Sequence, residues 1–105
     1  MKLKNYQNHV LVTIYHLNDL DDLTVLLQNG DLKITSIIID LLKCDVSHEI
    51  IVEQLLPFHF IWQKTNKSFI LVAKMIEKDS QELTFIKTLE EAIDYFYMDE
   101  LTRNI

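Results

Sequence analysis

An α/β sandwich, with a four- or five-stranded mixed sheet and about three helices, is the fold class that this sequence predicts, on three observations. Short β-branched or aromatic runs alternate along the chain with segments of helical period. Ser36-Ile37-Ile38-Ile39-Asp40-Leu41-Leu42 is a continuous apolar run broken only by Asp40, the mark of a strand covered on both faces. Thr88 and Glu91 make a T-x-x-E capping box at the start of a last helix.

The elements follow in order. His9 to Tyr15 is rich in β-branched and aromatic residues and reads as a strand, paired with Leu3 to Gln7 before it. From Leu20 the residues Leu20, Leu23, Leu26 and Leu27 fall at helical spacing, with Asn18 or Asp19 as cap and Asn29-Gly30 as the stop. Ser47 caps a helix to about Lys64, whose core face carries Ile51, Leu55, Phe58 and Trp62. Pro57 lies inside it and predicts a kink near Glu53 to Leu56 or a break into two pieces. Phe69 to Ala73 is a second buried strand, Glu77 to Gln81 a turn, and Glu82 to Ile86 a more exposed strand. The last helix is expected to carry Leu89, Ala92, Ile93, Phe96 and Leu101 inward.

Composition bounds the function classes. A chain of 105 residues with no internal repeat and no linker reads as a single domain over 1–105. Acids outnumber Lys and Arg 16 to 10, for a net charge of −6, the wrong sign for a surface that neutralises phosphates. Nucleic acid and anionic membrane are therefore not expected partners. Gly30 and Pro57 are the sole glycine and proline, which removes P-loops and dinucleotide fingerprints. No apolar run approaches the length of a membrane span. The lone Cys44 fits a reducing compartment, and a cytoplasmic location is expected.

The segment Cys44-Asp45-Val46-Ser47-His48-Glu49 crowds a thiol, a hydroxyl, an imidazole and carboxylates into six positions. Catalysis needs a nucleophile with its base in hydrogen-bond reach, and adjacent residues at a helix start point in different directions. Capping and solvation account for these residue types, and Cys44 at a strand end reads as a small core residue. His9, His16, His48 and His59 include no pair at i, i+4 spacing and no second cysteine joins them, so neither metal nor cofactor is expected. His59, within Phe58-His59-Phe60-Ile61-Trp62, is expected to be partly buried and hydrogen-bonded. Phe58 and Trp62 share the core face, while Phe60 and at least one of Tyr95 and Tyr97 lie outside.

Three stretches resemble the STAS domain, the family of bacterial anti-sigma-factor antagonists. They are the strand Ser36 to Leu41, the helix His48 to Lys64 with the strand Ser68 to Val72, and above all Leu83-Thr84-Phe85-Ile86-Lys87-Thr88-Leu89-Glu90-Glu91-Ala92-Ile93-Asp94-Tyr95-Phe96 with its charged continuation Met98 to Arg103. The resemblance implies a STAS-like sandwich and a regulatory protein-interaction module without enzymatic activity, acting in signal transduction and transcription regulation. It implies an anti-sigma factor or a related regulatory kinase as partner. Two departures stand out. Phosphorylatable members carry Asp-Ser-Ser-Gly at the start of the helix after the central strand, and gapless alignment puts His48, Glu49, Ile50 and Ile51 there. Ser47 lies just before. The family also carries a helix where Lys74 to Gln81 is too short for one.

The resulting expectation is partner binding through Ser47, His48, Glu49 and Ile50, with Glu49 able to imitate a permanent phosphate. Two other readings stay open. One is a small-molecule or lipid-binding domain with an apolar cleft beside Phe58 and Trp62; the other is a self-associating homodimer that buries a face left bare by the missing helix.

Overall fold

The computed structural model describes residues 1–30, 35–74 and 83–103. Five strands, β1 (Lys2–Asn5), β2 (His9–Thr13), β3 (Ser36–Asp40), β4 (Phe69–Val72) and β5 (Thr84–Ile86), form one mixed sheet in sequence order. β1 runs antiparallel to β2, and β2 through β5 are parallel. Three helices accompany them among the described residues: α1 (Leu17–Gln28), α2 (His48–Lys64) and α3 (Leu89–Arg103). The anticipated turn at Glu77 to Gln81, residue Glu82 of the anticipated strand, and all but Lys74 of the short Lys74 to Gln81 segment lie outside the described residues.

Parallel strands need covered faces, because their connections return across the sheet. Alternation along β2, β3 and β4 sends Val10, Val12, Ile37, Ile39, Phe69 and Leu71 into a core with Leu20, Leu23 and Leu27 of α1 and Ile51, Leu55, Phe58 and Trp62 of α2. The intervening Ile38, Ile70 and Val72 face the other way, onto Ala92 and Phe96 of α3. β3 and β4 are thus buried at every position, which accounts for their unbroken apolar runs.

Boundaries moved where backbone partners outweighed propensity. α1 begins at Leu17, three residues before the periodic leucines, because Asp19 Oδ2 accepts from the backbone N–H groups of Tyr15 and His16 at 3.0 and 3.2 Å. Those bonds, with the Met1 amino group 3.0 Å away, hold the Asp19 carboxyl below its usual range. The helix ends as expected at Asn29-Gly30, where Gly30 takes φ +73°, a conformation that costs glycine little. β3 stops at Asp40, whose Oδ1 accepts from Leu42 N–H at 3.0 Å and bends the chain out of the sheet.

α2 runs unbroken through Pro57, so the anticipated break into two pieces does not occur. Pro57 removes the N–H that Glu53 C=O would accept, and both residues are exposed, which leaves that carbonyl to water. At the far end Trp62 Nε1 donates to Thr35 C=O at 2.7 Å, tying α2 to the entry of β3. Asn66 then takes φ 62° and turns the chain into β4.

α3 opens as expected, with Glu91 N–H donating to Thr88 Oγ1 at 3.1 Å. Leu89, Ala92, Ile93 and Phe96 face the sheet, but Leu101 is 62% exposed, against expectation. Five residues after Phe96 it has turned away from the stripe, whose next positions are Asp99 and Glu100. Asp99 uses that place to accept from Ser68 Oγ at 2.6 Å, while Ser68 N–H donates to Ser36 Oγ at 3.0 Å. Phe96→Ala should cost about 3–5 kcal/mol in urea unfolding, and Leu101→Ala less than about 0.5 kcal/mol.

His9 is buried at the start of β2, stacked on Tyr6 with ring centroids 4.7 Å apart and against Phe96 at 4.7 Å. Its Nδ1 has no hydrogen-bond partner, and burial pushes its pKa below the ordinary 6.5. The unfolded chain therefore takes up this proton at higher pH than the folded one. Stability should be unaffected by His9 above about pH 6.5 and fall as pH drops from there through the lowered folded value. Denaturation midpoints between pH 5 and 8 should show that slope in the native chain and a smaller one in His9→Phe.

Candidate functional site

The start of α2 faces the carboxyl ends of the central strands. The sheet's hydrogen bonding continues past the strand ends there, Ile14 N–H to Asp40 C=O, Leu41 N–H to Val72 C=O and Ala73 N–H to Ile86 C=O, each 2.9–3.0 Å. That continuation fixes where β3 and β4 release the chain. The loop from Leu41 to Val46 leaves β3, crosses this edge and enters α2 at the Ser47 cap. Between loop and helix start lies a cavity of about 650 Å³, floored by Leu41, Val46, Ile51 and Ala73 and bordered by the exposed Lys43 and Lys74. The outer side of carboxyl strand ends is where parallel sheets present ligand and partner surfaces.

Each of the four anticipated contact residues takes a different place. Ser47 is exposed, and its Oγ accepts from Ile50 N–H at 3.4 Å, a long capping bond. His48, Glu49 and Ile50 form the first helical turn. Glu49 projects into solvent at the positive end of the helix dipole. His48 is half-buried with its ring 5.1 Å from that of Phe85 on β5, and its Nδ1 has no hydrogen-bond partner. Ile50 packs on the main core. Ser47 and Glu49 are therefore the exposed members of the set.

The crowd of reactive groups does not assemble as a catalytic set. Ser47 Oγ serves as a cap acceptor, and the His48 ring rests on Phe85 rather than on a hydroxyl or thiol. Cys44 is half-buried against the core, and its thiol is pushed up by burial and, next, by Asp19 and Asp45, which disfavours the nucleophilic thiolate. Among the described residues no group of three or more His, Cys, Asp and Glu side chains is placed to hold a metal ion, and no helix is long and apolar enough to cross a membrane.

Sequence reading missed Lys43 and Lys74. Their one available signal is position, each lying just beyond the end of a buried apolar run. The expectation for His59 needs correction: it is half-buried among Phe60 and Phe69, and its Nδ1 has no hydrogen-bond partner. Phe58 and Trp62 are core residues, buried with Phe69, and neither lines this cavity or the smaller one of about 220 Å³ beside Ser68 and Asp99. Phe60 is exposed, and so are both Tyr95 and Tyr97, where the spacing required only one of the two tyrosines to lie outside.

No protein-family model matches the chain, and no curated protein matches it. Ser47→Ala should lower stability by about 0.5–1 kcal/mol in chemical denaturation, the low end for a cap because the bond is long, while Ser47→Asp should hold or raise it.

Proposed function

We propose that this protein is a non-enzymatic, cytoplasmic regulatory module that binds a protein partner through the start of α2, in the manner of the anti-sigma factor antagonists it resembles. The observation that carries the reading is Ser47 at the rim of an open cavity at the carboxyl edge of the sheet, with Glu49 exposed in the helical turn that follows it. Such a rim offers the mixture of cap dipole, carboxylate and flanking lysines that polar protein contacts use, around an apolar floor. The absence of a nucleophile–base pair there fits recognition better than catalysis.

On this reading the partner is an anti-sigma factor or a related regulatory kinase, and binding does not wait on phosphorylation. Glu49 holds a permanent negative charge at the helix start, where a phosphate would act in a switched relative, and Ser47 Oγ is engaged in capping. Calorimetric titration with a purified anti-sigma factor kinase tests it. Binding should occur without ATP, weaken at least about tenfold in Glu49→Lys, and stay unchanged on preincubation with ATP. Failure to bind, or a Glu49→Lys variant that binds as well as the native chain, overturns the reading.

A further inference from the structure

α3 carries a second surface, on the side of the helix turned away from the sheet. Tyr97, Met98 and Leu101 are 51%, 64% and 62% exposed, and they lie side by side over the last turns. Isolated exposed apolar residues are ordinary, but three large ones sharing one helix face make a patch. Over the first turns the same outward side is acidic, with Glu90, Glu91 and Asp94 all exposed. The sequence from Leu89 to Thr102 holds no lysine or arginine; Lys87 precedes the helix and Arg103 ends it.

The helix keeps this face outward because its inward side is fully committed. Ala92 and Phe96 are buried on β3 and β4, and Asp99 holds the last turns down through Ser68. Tyr97 in turn packs its ring 5.2 Å from that of Phe96, so the edge of the patch is braced by the core. A rigid, pre-ordered patch loses little entropy on binding.

We propose that the outer face of α3 docks a basic amphipathic helix of a partner protein, its apolar side covering Tyr97, Met98 and Leu101 and its lysines or arginines facing Glu90, Glu91 and Asp94. Charge decides against a second copy as occupant. Two α3 helices packed parallel set acid against acid, and packed antiparallel they bury Glu90 and Asp94 against Met98 and Leu101, with no lysine or arginine between Leu89 and Thr102 to face them. A basic helix satisfies both halves of the face at once. This surface is separate from the start of α2, so it stands or falls independently of the reading above.

The probe is a synthetic amphipathic helical peptide of leucine and lysine, fluorescently labelled, with a leucine and glutamate peptide of the same pattern and a peptide with serine in place of every leucine as comparisons. Anisotropy titration should show binding of the first alone. The pair Met98→Ser with Leu101→Ser, both exposed and so compatible with folding, should weaken it at least about tenfold, as should Glu90→Lys with Asp94→Lys. Glu49→Lys should leave it within about twofold, which separates this surface from the one at α2. Equal binding of the serine peptide reduces the effect to net charge and overturns the proposal, as does affinity that survives the Met98 and Leu101 changes. Light scattering that shows a concentration-dependent dimer, dissolved by Leu101→Ser, overturns it in favour of self-association.

Discussion

Burial of β3 and β4 on both faces is the constraint on which the rest of the structure depends. Parallel strands cannot be joined by tight turns, so each connection must travel back along the sheet, and the connecting helices bury the strands they cross. α1 and α2 both return over one face, and α3 closes the other. With two layers of helices fixed, every side chain of β3 and β4 is inside, and polar residues persist there only with partners: Asp40 accepts from Leu42 N–H, and Ser36 accepts from Ser68 N–H.

The two ends of the sheet then acquire different characters. At the amino ends of the strands α3 is fastened by the Asp99 to Ser68 bond and by Phe96 on His9, and Trp62 secures α2 to Thr35. This end is tied. At the carboxyl ends the strands release the chain into the loop before α2 and leave a cavity of about 650 Å³, larger than the one of about 220 Å³ beside Ser68 and Asp99 at the tied end.

His9 shows what this packing costs. A ring held between Tyr6 and Phe96 fills its site as an aromatic does, yet its Nδ1 is left without a partner and its charged form is disfavoured. Shape decided that position, and protonation works against it. The same competition appears at α3, where the inward stripe ends in Asp99 because a hydrogen bond to Ser68 outweighs one more apolar contact.

Local signals settled much of this in the sequence itself. Periodicity located all three helices and both buried strands, the Thr88 and Ser47 caps marked two helix starts, and Asn29-Gly30 marked one end, because caps and stops act through neighbours a few residues away. The place of Ser47, His48, Glu49 and Ile50 at a helix start was legible too. Their division into exposed, stacked and core-packed members was not, since it depends on Phe85 and the main core arriving from distant parts of the chain. The early start of α1, the continuity of α2 through Pro57, the outward turn of Leu101 and the assembly of Lys43 and Lys74 on one rim were likewise decided by tertiary structure. Each rests on a partner or a solvent boundary that no local pattern encodes: Asp19 for a backbone turn, water for the Glu53 carbonyl, Ser68 for Asp99, and the register of β3 with β4 for the two lysines.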